Sequence, residues 1–91
     1  LSASHIKPWS ESADEERLDE NNGFLFCPNH DALFDKGYIS FDNKGRIIIS
    51  SELNESIYNS LNIDNDLQID INKENIKYLE WHRENIFLGS K

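Results

Sequence analysis

Apolar residues along this chain fall in short bursts between long polar stretches, and the spacing of each burst predicts an element. Residues 2–6 read as a short extended segment, stopped by Pro8, whose ring disfavours helix at Lys7. Ser12 and Glu15 have the spacing of a capping box, so a brief helical turn is expected in the polar stretch that follows. Phe24-Leu-Phe-Cys27 reads as a second strand. Pro28 suits the first turn of a helix, Ala32-Leu33-Phe34 continue it, and Gly37 is a natural left-handed stop. Tyr38–Phe41 and Arg46–Ser50 flank the turn-forming Asp42-Asn-Lys-Gly45, which predicts a hairpin. A short helix is expected within 51–61, and an extended stretch with one buried face where Leu67, Ile69 and Ile71 alternate. Asn72 can cap a last helix running to Phe87, with Ile76, Leu79, Arg83 and Ile86 along its apolar stripe. The fold class expected is α+β: a small ββα core over 1–37, a β-hairpin over 38–50 and a helical extension over 51–91.

Ninety-one residues, 37% hydrophobic and 29% charged, suit one soluble globular domain with room for one small core. No apolar run reaches membrane-spanning length, and no charged-then-apolar leader precedes Leu1; starting in what reads as a strand, the chain looks like part of something longer. Its one cysteine excludes an internal disulfide, which suits a reducing cytoplasm and leaves a metal as the available staple. The net charge of −8 argues against a free-standing nucleic-acid binder, because phosphate affinity rests on Lys and Arg. That charge is unevenly placed. Acids crowd 11–20 and 52–70, whereas Lys7, Lys36, Lys44, Arg46 and Arg83 flank the segments that carry chemistry. A catalytic module whose DNA is captured by another domain tolerates this balance.

Those segments are few. His5 stands at a strand end, where an imidazole can face a cleft and take a proton near neutral pH; a lone histidine is also often a satisfied packing residue. Asp31 and Asp35 are four apart, so on a helix they share a face. Two such carboxylates repel unless a cation lies between them, and their oxygens suit Mg²⁺, Mn²⁺ or Ca²⁺; the alternative has Asp31 in solvent and Asp35 meeting Lys36. Cys27 and His30 form half of a zinc knuckle without a second half in this chain, so buried packing of Cys27 is the competing reading. Asn22 can bond backbone across a loop, holding the His5 strand against the helix of the acids, or it is an ordinary Asn-Gly turn residue. In the last helix, His82 or Arg83 can reach a substrate phosphate, or the helix simply packs through Leu79 and Trp81.

In this order the residues resemble the HNH endonuclease family, whose fold is the ββα-metal finger. His5, in a His-Ile-x-Pro context, matches the family's first histidine, and Asn22, five before Cys27, its central asparagine. Asp31 takes the place of the final histidine, a metal ligand in the family, and Asp35 that of a further ligand one turn later; His30 falls where many members place a knuckle cysteine. The Phe-Asp-Lys-Gly stretch, the hairpin and the Tyr-Leu-Glu-Trp-His-Arg-Glu-Asn ending are similar to a bacterial restriction-type subfamily. The resemblance implies hydrolysis of DNA phosphodiesters, leaving 5′-phosphate and 3′-hydroxyl ends. His5 would be the base, Asn22 would fix its loop, and Asp31, Asp35 and His30 would serve one Mg²⁺ or Mn²⁺. Lys7, Lys36, His82 and Arg83 would meet substrate. A homodimer is compatible with it, and no membrane partner is expected. Two departures stand out: Asp31 replaces the third histidine, and Ser4 stands where many members carry another ligand. They motivate a rival reading, a nuclease-like module that binds without turnover; a third is a structural zinc domain at Cys27 and His30.

Overall fold

The computed structural model describes residues 2–89. Strand β1 (Ser2–His5) pairs antiparallel with β2 (Gly23–Phe26), Ser4 opposite Phe24 and His5 opposite Gly23. Between them lie a 3₁₀ turn (Trp9–Glu11) and the four-residue helix α1 (Asp14–Arg17). The capping interaction is displaced from the Ser12–Glu15 pair. Glu16 reaches back to the Ala13 N–H at 2.8 Å, while Ser12 turns its hydroxyl to the Pro8 carbonyl at 2.9 Å.

Helix α2 (Pro28–Asp35) follows β2 directly, with proline in its first turn. It ends at Gly37, whose φ of 82° is open to glycine and whose missing Cβ leaves room for the Ile86 carbonyl; a Cβ there would lie 2.1 Å from that oxygen. The hairpin of β3 (Ile39–Phe41) and β4 (Ile47–Ile49) turns as expected through Asp42–Gly45. There the Asp42 Oδ1 accepts the Lys44 and Arg46 N–H groups. The alternating Leu67, Ile69 and Ile71 form one isolated bridge, Arg46 to Gln68, and lay their side chains on the core. Residues 51–61 contain two 3₁₀ turns, Glu55–Ile57 and Asn59–Leu61.

Helix α3 (Lys73–Asn85) is capped by Asn72, whose side chain accepts the Asn75 N–H. Its buried stripe is Asn75, Tyr78, Leu79 and His82, rotated from the Ile76–Leu79–Arg83–Ile86 stripe the apolar pattern predicts and sharing Leu79 with it; Ile76, Arg83 and Ile86 are half-buried. The polar members of this stripe are buried because each finds a partner. Asn75 donates to the Asn21 carbonyl at 2.6 Å and Tyr78 to Asp19 at 2.7 Å. Burial, followed by the hydrogen bond to Asp19, pushes the Tyr78 hydroxyl up to about 12. The core these elements share is aromatic: Phe26, Phe34 and Phe41 lie mutually within 6.0 Å between ring centroids, with Phe24 beside them. The architecture is α+β. Among the described residues, no helix is long and apolar enough to cross a membrane.

Candidate functional site: an acidic cleft at the end of β1

Pairing β1 with β2 and packing α2 on both brings the end of β1 over one face of the helix. Ala3, Ser4, His5, Pro8, Trp9, Asp31 and Asp35 line one cleft of about 420 Å³ there. His5 therefore shares one space with Asp31 and Asp35, an acid pair far from it in the sequence.

His5 donates Nε2–H to the Arg17 carbonyl at 3.3 Å. A carbonyl can only accept, so this contact places the proton on Nε2 and leaves Nδ1 as the nitrogen with a lone pair. The ring also meets Trp9 at 80°, with centroids 5.4 Å apart. Neither partner is readable from spacing: Arg17 contributes only its backbone, which no residue letter announces. Trp9 reaches the ring from the 3₁₀ turn after Pro8, a contact no motif in the sequence announces.

The carboxylates face each other's charge. Asp31 Oδ1 is buried and has no hydrogen-bond partner among the described residues. Partial burial, then the neighbouring Asp31 charge, raises the Asp35 carboxyl above its usual range, against the Ser4 hydroxyl that donates to it at 3.3 Å. An orphaned carboxylate oxygen beside a second carboxylate is an arrangement a cation completes. Two protein carboxylates, with water and substrate oxygens filling the remaining positions, suit Mg²⁺ or Mn²⁺. Zinc asks for three or four protein donors, and no cluster of three or more His, Cys, Asp or Glu side chains is placed to hold an ion among the described residues.

The structure separates the other predicted site residues from this cleft. His30 turns away from the acid pair and donates Nε2–H to the Asn62 carbonyl at 2.9 Å; Cys27 is a free, half-buried thiol. No knuckle forms between them. Asn22 is 1% exposed. Its Oδ1 accepts the Lys7 N–H at 2.8 Å and its Nδ2 donates to the Glu16 carbonyl at 3.1 Å. It thus ties the segment just after His5 to α1, not to α2 as expected. Lys7 is held by Glu16 at 3.0 Å and lies over the Trp81 ring. Lys36 is exposed. Arg83 spends its guanidinium on the Phe41 carbonyl and the Asn43 side chain, at 2.7 and 2.8 Å.

His82 is furthest from the expectation. It is 1% exposed, stacked on Phe34 at 3.8 Å, donating Nε2–H to the Phe34 carbonyl and accepting at Nδ1 from the Ser40 hydroxyl, both at 2.8 Å. Burial lowers its pKa to about 4. Such a ring is a neutral core element and has no path to a substrate phosphate.

The β1–β2–α2 order places an imidazole and a carboxylate pair at one cleft. Residues 1–42, which are 42 of the 91, match the family model of the HNH endonucleases, so the resemblance holds over β1, β2, α2 and the start of the hairpin. Members of that family are generally endonucleases that act on DNA with a divalent metal. No curated protein matches the chain.

Proposed function

We propose that this chain is the hydrolytic module of a DNA endonuclease using His5 as general base and one Mg²⁺ or Mn²⁺ held by Asp31 and Asp35. The observation that carries this reading is the unpartnered Asp31 oxygen in the cleft that Asp35 and His5 also line. A divalent cation there would supply positive charge to a phosphoryl oxygen and to the departing 3′ oxygen, an effect worth several kcal/mol. His5, with Nε2–H committed to the Arg17 carbonyl, offers Nδ1 to the attacking water. Asn22 positions the segment that follows this histidine by pinning Lys7. The Ser4 hydroxyl donates to Asp35 without adding charge, so an ion held there would keep more of its water than beside a third anionic ligand. Lys36, exposed near the end of α2, is available to a phosphate, whereas Lys7 and Arg83 contribute only by leaving their present partners.

Net charge of −8 makes capture of DNA the task of another part of the protein, as in restriction-type enzymes, and the single free thiol suits a reducing cytoplasm. The test is cleavage of supercoiled plasmid with Mn²⁺ by the parent, His5→Ala and Asp35→Asn. The reading requires activity in the parent and at least a 100-fold loss in each variant, general-base removal alone accounting for about 10²–10⁴-fold. Equal cutting by parent and His5→Ala would overturn it. A module that binds Mn²⁺ without cutting is the second reading, favoured by Ser4 at a position where a ligand is expected; uptake of Mn²⁺ with no cleavage by the parent would select it.

A further inference from the structure

Trp9 stands apart from the other cleft residues. It is 55% exposed, although a tryptophan gains more than most side chains from burial. It lines the same cleft as His5, Asp31 and Asp35. Its position is fixed on several sides: Arg17 donates Nε–H to the Trp9 carbonyl at 2.9 Å, the Arg17 guanidinium lies 4.8 Å from the indole centroid, and His5 meets the ring at 80°. The indole is thus a rigid, exposed aromatic plate beside the acid pair.

We infer that Trp9 is a stacking platform for an unpaired base next to the scissile phosphate, so that the preferred substrate is single-stranded or locally unpaired DNA. This rests on the nuclease reading of the same cleft. The argument follows from charge. A chain of net charge −8 gains little from phosphate contacts: near the cleft Lys7 is engaged with Glu16 and Arg17 with Asp14 and Trp9, which leaves the exposed Lys36 against a large acidic excess. Affinity at the cleft must then come from a contribution that does not depend on net charge. Stacking is such a contribution, and any base can supply it. In a duplex both faces of each base are already covered, so an indole can reach a face only where the strand is unpaired or the base is flipped out. The Arg17 guanidinium on the indole strengthens the platform by holding it in place.

Two measurements on the 91-residue chain test this. The first is quenching of tryptophan fluorescence by octathymidylate in EDTA, at 50 and 200 mM salt, for the parent, Trp9→Phe and Trp81→Phe. The inference expects quenching in the parent and in Trp81→Phe, none in Trp9→Phe, and a weak dependence on salt; no quenching in the parent, or undiminished quenching in Trp9→Phe, overturns it. The second is the kcat/KM ratio for single-stranded over duplex oligonucleotides with Mn²⁺. Trp9→Ala should lower that ratio about 5–100-fold, the equivalent of about 1–3 kcal/mol of stacking, and Trp9→Phe should restore most of it. A merely structural Trp9 would slow both substrates equally and leave the ratio unchanged, which also overturns the inference. Absence of all cleavage by the parent together with quenching through Trp9 would refute the nuclease reading and leave the platform standing.

Discussion

Replacing Asp35 with asparagine should make the protein more stable without a divalent cation and less stable with one. Asp35 lies one helical turn from Asp31, and its carboxyl is raised first by partial burial and then by that neighbouring charge. Like charges four apart on a helix cost about 0.2–0.5 kcal/mol, a range that already reflects exposed, solvent-screened pairs. The amide oxygen of asparagine can still accept from Ser4, which now donates at 3.3 Å, so no new orphan is created. For a domain of this size about 1 kcal/mol corresponds to about 4–8 °C in Tm, so the variant should melt about 1–4 °C above the parent in EDTA. At a Mn²⁺ concentration 100 times Kd the parent gains about 2.7 kcal/mol, or about 10–20 °C, and the variant, lacking one of two carboxylates, gains far less. The order of melting temperatures therefore reverses on adding metal. The sign with pH is also fixed. Because the folded pKa is raised, the penalty is absent when Asp35 is protonated in both states and appears as pH rises through the raised value. The EDTA advantage of the variant should accordingly vanish below the usual carboxylate range. Calorimetric melts of both proteins, with and without Mn²⁺, test the reasoning. A variant that melts below the parent in EDTA, or gains as much from Mn²⁺, refutes it.

Acid should unfold the protein through His82: burial depresses its folded pKa to about 4, well below the ordinary histidine range, so the unfolded chain takes up a proton first. Stability is then full above about pH 6.5 and declines towards pH 4 by up to about 3 kcal/mol. Urea melts across that range should show this loss in the parent and much less in His82→Gln compared with its own neutral value. Asn22→Ala should cost about 1–3 kcal/mol in the same assay, because the buried Lys7 N–H and Glu16 carbonyl lose their partner. Gly37→Ala should destabilise strongly, since the backbone there has φ of 82° and a Cβ would strike the Ile86 carbonyl; a variant as stable as the parent would contradict the fold around α2.

What was legible in the sequence was what local chemistry decides. Pro28 and Gly37 bracket α2, and Asp42 with Gly45 fixes the hairpin, because each residue acts within a few positions of itself. The face of α3 was not legible. Apolar spacing selected Ile76 and Ile86, whereas burial went to Asn75, Tyr78 and His82, whose partners Asn21, Asp19, Phe34 and Ser40 are between 42 and 59 residues away. A polar residue enters a core when a distant acceptor awaits it, and no sliding window contains that acceptor. The same reason hid the anchor of His5, a backbone carbonyl at Arg17, and the attachment of His30 to the carbonyl of Asn62. The acid pair was legible because both carboxylates sit on one helix. That His5 lines their cleft follows from strand pairing, to which only the resemblance pointed.

The most direct test of this account is the position of Mn²⁺ in crystals of the protein, located by its anomalous scattering. The account predicts an ion in contact with one oxygen each of Asp31 and Asp35, the buried Asp31 Oδ1 among them, in the cleft that His5 lines. Mn²⁺ bound at Cys27 and His30, or bound elsewhere with both carboxylates bare, would contradict it.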